Sequence, residues 1–106
     1  MRKIILLTLI AFANVANASK ADEEYCGGIY DRAKVIMDYR QKGTPIKIIY
    51  DVTNKMKAPE EVKEVFKHMI NEAYEKPQFQ TERYRQESSE EFANYYFLQC
   101  IKSFKD

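Results

Sequence analysis

The residues able to do chemistry are few, and their spacing narrows what that chemistry is. The chain carries two cysteines, Cys26 and Cys100, and one histidine, His68. A thiol nucleophile needs a basic partner, and His68 stands at no diagnostic spacing from either cysteine. A redox pair would form a Cys-x-x-Cys motif, whereas most of the chain separates these two. A lipid anchor would put its cysteine directly at a cleavage site, yet Glu23-Glu24-Tyr25 precedes Cys26 and no lipobox is present. The reading left is a structural Cys26–Cys100 bridge. Metal sites need clustered His, Cys or acids at ligand spacing, and one histidine with two bridged cysteines leaves little for that. A carboxylate pair could act as a glycosidase acid and base, but Glu60, Glu61 and Glu64 read as a solvated helix face. Gly27-Gly28 lacks the rest of any phosphate-binding loop. No catalytic, cofactor-binding or metal-binding residue is assigned, no cofactor is expected, and the chain is read as not an enzyme.

The compartment follows from the first residues, "MRKIILLTLIAFANVANAS". Arg2 and Lys3 give a positive start, Ile4 to Ala13 an apolar run broken only by Thr8, and Ala16-Asn17-Ala18 a small-x-small cleavage site. This pattern predicts a secretory signal peptide over 1–18 and a single mature domain over 19–106. The apolar run is about half the ~20 residues that a membrane span requires, so no membrane association is expected after cleavage. Export to the periplasm, or secretion, favours the disulfide. In the chain-entropy model a loop of this length adds on the order of 4 kcal/mol. Loss of Arg2 and Lys3 turns a formal charge of +1 slightly negative, which gives no electrostatic case for nucleic acid.

The elements that must carry these residues are helical. Few glycines and three-and-four apolar spacing predict an all-α fold: a small antiparallel bundle of about four helices, its N- and C-terminal helices joined by one disulfide. The first helix is expected over about Glu23 to Lys42, with Cys26, Ile29, Ala33, Ile36 and Met37 on one face and Gly43 as a left-handed cap. Thr44 then caps a short second helix with Pro45 at its first position, running to about Lys55 with Ile46, Ile49 and Tyr50 as its apolar stripe. Its β-branched "IKIIYDV" leaves a strand as the alternative. The third helix opens at Pro59-Glu60-Glu61, carries Val62, Val65, Phe66, Met69, Ile70, Ala73 and Tyr74 as its stripe, and stops at Pro77. His68 falls off that stripe. The fourth starts after Thr81 and runs towards Ser103. Ser88-Ser89-Glu90-Glu91 resembles a capping box, so a kink or split is expected there. Phe92, Tyr96, Cys100 and Phe104 share one face, and Tyr95, Phe97, Leu98 and Ile101 make the fourth helix apolar nearly all round, which predicts that it is central. Gly27 and Gly28 cost about 1 kcal/mol each in a helix relative to alanine. They are expected either to let the fourth helix approach closely or to mark a late start of the first.

Eight tyrosines and six phenylalanines are many for one small core. Tyr25, Tyr30, Tyr39 and Tyr84 are the candidates for a protein-binding surface, since exposed Tyr favours such patches.

Three patches occur together: Arg40-Gln41-x-Gly43, Ala73-Tyr74-x-x-Pro77, and Phe92 ahead of Cys100. With an early cysteine and the export signal, the chain resembles a family of short exported proteins common in phage and proteobacterial genomes. The resemblance spans most of the mature chain and implies origin and architecture; no activity comes with it. The motif residues Arg40, Gln41, Gly43, Ala73, Tyr74 and Pro77 read as structural, Gly43 capping, Pro77 terminating, and Arg40 placed to bond carbonyls at the end of the first helix.

The function expected is a non-enzymatic periplasmic binding module with a protein partner in the cell envelope, acting as inhibitor of or immunity against a peptidoglycan-degrading enzyme. The alternatives are an acid-type periplasmic chaperone and, third, a small envelope enzyme.

Overall fold

A computed structural model describes residues 18–105. The expected signal segment lies outside the described residues apart from Ala18. Among the described residues four helices follow one another: α1 Lys20–Gln41, α2 Ile46–Lys55, α3 Glu60–Glu75 and α4 Glu82–Lys105. The chain is all-α, and α1 and α4 pack closely as an antiparallel pair joined by the Cys26–Cys100 disulfide. Register along the pair is continuous. Tyr25 packs edge-on against Phe104, Cys26 meets Cys100, and Tyr30 packs edge-on against Phe97. Among the described residues, no helix is long and apolar enough to cross a membrane.

Helix α1 begins earlier than its apolar stripe suggests. Ser19 accepts from the Asp22 N–H (3.1 Å), and the Asp22 carboxylate accepts from the Ser19 N–H (3.0 Å). This reciprocal cap satisfies two N–H groups that otherwise lack helical partners. The helix ends in a Schellman turn. Gly43 has φ 81°, its N–H donates to the Arg40 carbonyl, and the Thr44 N–H donates to the Tyr39 carbonyl, both at 3.0 Å.

Segment 46–55 is helical, not extended. Lys47 pairs with Asp51 one turn on (3.0 Å), and the Thr53 hydroxyl donates to the Ile49 carbonyl (2.9 Å). Pro45, not Thr44, is its N-cap, and no side chain caps it. Of its expected stripe Ile49 is buried and Tyr50 half-buried, whereas Ile46 is exposed. Helix α3 buries Phe66, Met69, Ile70 and Ala73 as expected, but Val65 is 47% exposed.

Helix α4 corrects two expectations. It runs unbroken through Ser88-Ser89. Ser89 is wholly buried there, and the residue that caps is Thr81, whose hydroxyl accepts from the Tyr84 N–H (3.2 Å). Nor is α4 central. It buries only Ser89, Phe92 and Ala93, while Tyr95 is 51% and Leu98 49% exposed. The central element is α1, which packs on both α4 and α3. The core gathers Ala33, Ile36 and Met37 of α1 with Ile49, Phe66, Met69, Ile70, Ala73, Phe92 and Ala93.

Both reasons foreseen for the glycine pair fail. Helix α1 passes regularly through Gly27 and Gly28, so they mark no late start. A Cβ on either would meet nothing within 4 Å, so α4 makes no close approach there. Their helix cost is uncompensated within the chain.

Candidate functional site

The motif residues of the α1 C-terminus and the α3 C-terminus converge on one polar latch. The buried Gln41 side chain donates to the Pro77 carbonyl (2.9 Å) and accepts from the Phe79 N–H (2.8 Å). Gln78 returns a bond to the Gln41 carbonyl (3.3 Å). Arg40 donates from Nε to the Lys76 carbonyl (3.0 Å) and lies over the Tyr74 ring, 5.4 Å from its centroid. The carbonyl it bonds therefore ends α3, not α1 as the sequence suggested. The Tyr74 hydroxyl donates to the Thr44 carbonyl (2.5 Å). Burial pushes the Tyr74 phenol up, and the Arg40 guanidinium partly opposes this. Gly43 completes the latch: its turn needs positive φ, and a Cβ there would stand 3.1 Å from the Gln78 amide. Ala73 is fully buried beneath. The latch meets the hydrogen-bonding needs of a loop that has no secondary structure of its own, and it presents no reactive group.

The four candidate tyrosines do not form one patch. Tyr25 and Tyr39 lie on the same side, lining two adjoining grooves of about 450 and 140 Å³. Arg32 and Phe66 belong to both grooves, and the Arg32 guanidinium sits 5.6 Å from the Phe66 ring centroid. Exposed Val35, Ile48, Val52 and Val65 extend this face across α1, α2 and α3. Tyr30 faces elsewhere, in a shallow groove with Phe97, Asn94 and the glycine pair. Tyr84 stacks obliquely on Phe79 (6.2 Å between centroids) in a cleft at the start of α4. Sequence reasoning missed Val35, Ile48, Val52 and Val65. The signal available was position: Val35, Ile48 and Val52 fall off the stripes assigned to their helices, so nothing in the chain needs them apolar.

The cleft has polar as well as aromatic walls and a volume of about 470 Å³. The loop 76–81, the end of α3 and the first half of α4 form it, with Glu72, Glu87 and Glu91 beside Phe79, Tyr84 and Tyr95. His68 Nε2 approaches the Glu72 carboxylate on the outer side of α3, where the His68 side chain is largely exposed. Nearby, the buried Tyr96 hydroxyl lies beside the Glu72 carboxylate, with no partner at hydrogen-bond geometry among the described residues. Burial pushes this phenol far up, and the Glu72 carboxylate pushes the same way.

The remaining acids flagged in the sequence are on the surface. Glu60 and Glu64 pair loosely with Lys63 (3.5 Å) and Lys67 (3.7 Å), and Glu61 is exposed. Both cysteines are consumed in the bridge. Among the described residues no three His, Cys, Asp or Glu side chains gather as metal ligands would. Comparison with family models, with curated proteins and with solved structures gives no match.

Proposed function

We propose that this chain is a non-enzymatic protein-binding module of the cell envelope, an inhibitor of or immunity protein against a peptidoglycan-degrading enzyme. The observation that carries the reading is the face formed by Tyr25, Val35, Tyr39, Ile48, Val52 and Val65, exposed together on α1, α2 and α3. Contiguous apolar surface of this kind marks an interaction site. Its Tyr members and the central Arg32 over Phe66 are the residue types that anchor protein interfaces. The bridge suits an oxidising compartment, and the N-terminal pattern of 1–18 supplies the route there. The chaperone alternative has less support. Among the described residues the buried polar side chains are Gln41, Thr53 and Ser89, none of which titrates in acid.

The test is affinity capture from periplasm with the mature protein and with the double variant Val35→Asp, Val52→Asp. Both positions are exposed, so the variant keeps its core. A partner held by the wild type and lost by the variant, together with reduced muralytic activity on addition of the wild type alone, is the expected result. Absence of any specific partner, with muralytic activity unchanged, overturns the reading.

A further inference from the structure

We infer that the cleft between the α3–α4 loop and α4 is a socket for a cationic side chain, lysine or arginine, presented by the protein partner. The inference rests on the binding-module reading and adds the chemistry of one contact. Three carboxylates, Glu72, Glu87 and Glu91, face the cleft against a single ammonium, that of Lys76. Glu87 is engaged by Arg83 (3.3 Å), both exposed, and the half-buried Glu72 by the exposed His68. Glu91 has no ion pair or hydrogen bond among the described residues. The other walls are aromatic: Phe79, Tyr84 and Tyr95. Ring faces attract a cation through their quadrupole, and more strongly where water is partly excluded. A carboxylate at the end of the same cleft adds a charge-assisted hydrogen bond. An anion would meet repulsion from the glutamates. A neutral apolar group would leave Glu91, exposed and unpaired among the described residues, without a partner. Only a cation on an apolar stem satisfies both kinds of wall.

The floor is also fixed in place. Pro77 and Phe79 are held by the buried Gln41 side chain, and the Phe79 carbonyl accepts from Arg85 Nε (2.8 Å). The loop that carries the first aromatic wall is thus tied to α1 and α4 before any ligand arrives, which lowers the ordering cost of binding.

The experiment titrates the mature protein with N-acetyl-arginine amide, followed by NMR, with N-acetyl-citrulline amide as the neutral isostere. Saturable shifts confined to the cleft are expected. Binding should weaken about tenfold for citrulline and for Glu91→Gln, the scale of one charged hydrogen bond. Tyr84→Ala should weaken it further, and its distant core signals report that the fold is intact. Equal binding of citrulline, shifts mapping to the α1–α2–α3 face, or no shifts at all would overturn the proposal. Capture separates it from the reading it rests on. A partner retained equally by wild type, Glu91→Gln and Tyr84→Ala but lost on Val35→Asp, Val52→Asp removes the socket and keeps the module. Arginine binding in the cleft without any captured partner removes the module and leaves a site for an organic cation.

Discussion

The two ends of the α1–α4 pair are fastened by different chemistry. At one end a single covalent bond joins Cys26 to Cys100, and its surroundings are loose: Tyr25 and Phe104 are exposed and open space lies above Gly27 and Gly28. At the other end there is no covalent link. There Gln41, Arg40, Tyr74 and Gln78 bond main-chain groups, and Gly43 takes the one backbone conformation the turn permits. The difference teaches that a bridge relaxes the demand for packing around it. A non-covalent closure must satisfy each buried polar group, because every one left unpaired costs free energy.

The comparison can be broken at several points. The largest effect is expected at the covalent end. Cys26→Ser with Cys100→Ser should cost on the order of 4 kcal/mol, read as a fall in the urea midpoint; an unchanged midpoint would show that packing, not the bridge, closes that end. Next comes Gln41→Ala, which strands the Pro77 carbonyl and the Phe79 N–H and should cost about 1–3 kcal/mol. A loss near zero in the same urea assay would place the strength of the latch elsewhere.

These contrasts also explain how much the sequence disclosed. Periodic features were legible: the α3 stripe around Met69 and Ile70, the cap at Gly43, and a bridge that must bring the chain ends together. Gln41 was flagged only as part of a short motif. A polar residue at a helix end has no periodicity, and its partners Pro77 and Phe79 are far away in sequence. Ser89 was misread because a buried serine at a helix crossing has the same local pattern as a cap. The apolar run of α4 suggested centrality, yet Tyr95 and Leu98 face outward. Of the cleft only Tyr84 and Pro77 were singled out as site residues, and for separate reasons, since Glu72, Phe79 and Glu91 converge only through the tertiary fold.

Two smaller effects sharpen the picture. Gly27→Ala and Gly28→Ala should each stabilise by about 0.4–1 kcal/mol, because nothing obstructs a methyl group and the unfolded chain loses freedom. Destabilisation in thermal melts would mean that the helix there depends on glycine after all. Smallest at neutral pH is Tyr96→Phe, which deletes a buried hydroxyl that lies beside Glu72 but has no partner at hydrogen-bond geometry among the described residues, and should change stability by less than about 1 kcal/mol. The wild type gains its own signature in alkali. The folded phenol of Tyr96 titrates above its ordinary value of 10.0, so the unfolded chain releases its proton first. Its contribution to stability should therefore be constant below about pH 10 and fall above it, alongside a contribution of the same sign from Tyr74. Tyr96→Phe should reduce that alkaline fall, and an identical pH profile would remove Tyr96 as its source.

The position of the bridge has a mechanical consequence. Cys26 lies in the second turn of α1 and Cys100 in the last turns of α4, with their Cα atoms 5.6 Å apart. A pulling force applied at the two chain ends runs through the sulfur atoms and bypasses the residues between them. Only the short segments outside the loop can lengthen, each residue yielding at most about 3.3–3.6 Å. The core, the latch, the cleft and the α1–α2–α3 face apart from Tyr25 would stay unloaded while the tether was under tension, as long as the disulfide remained oxidised.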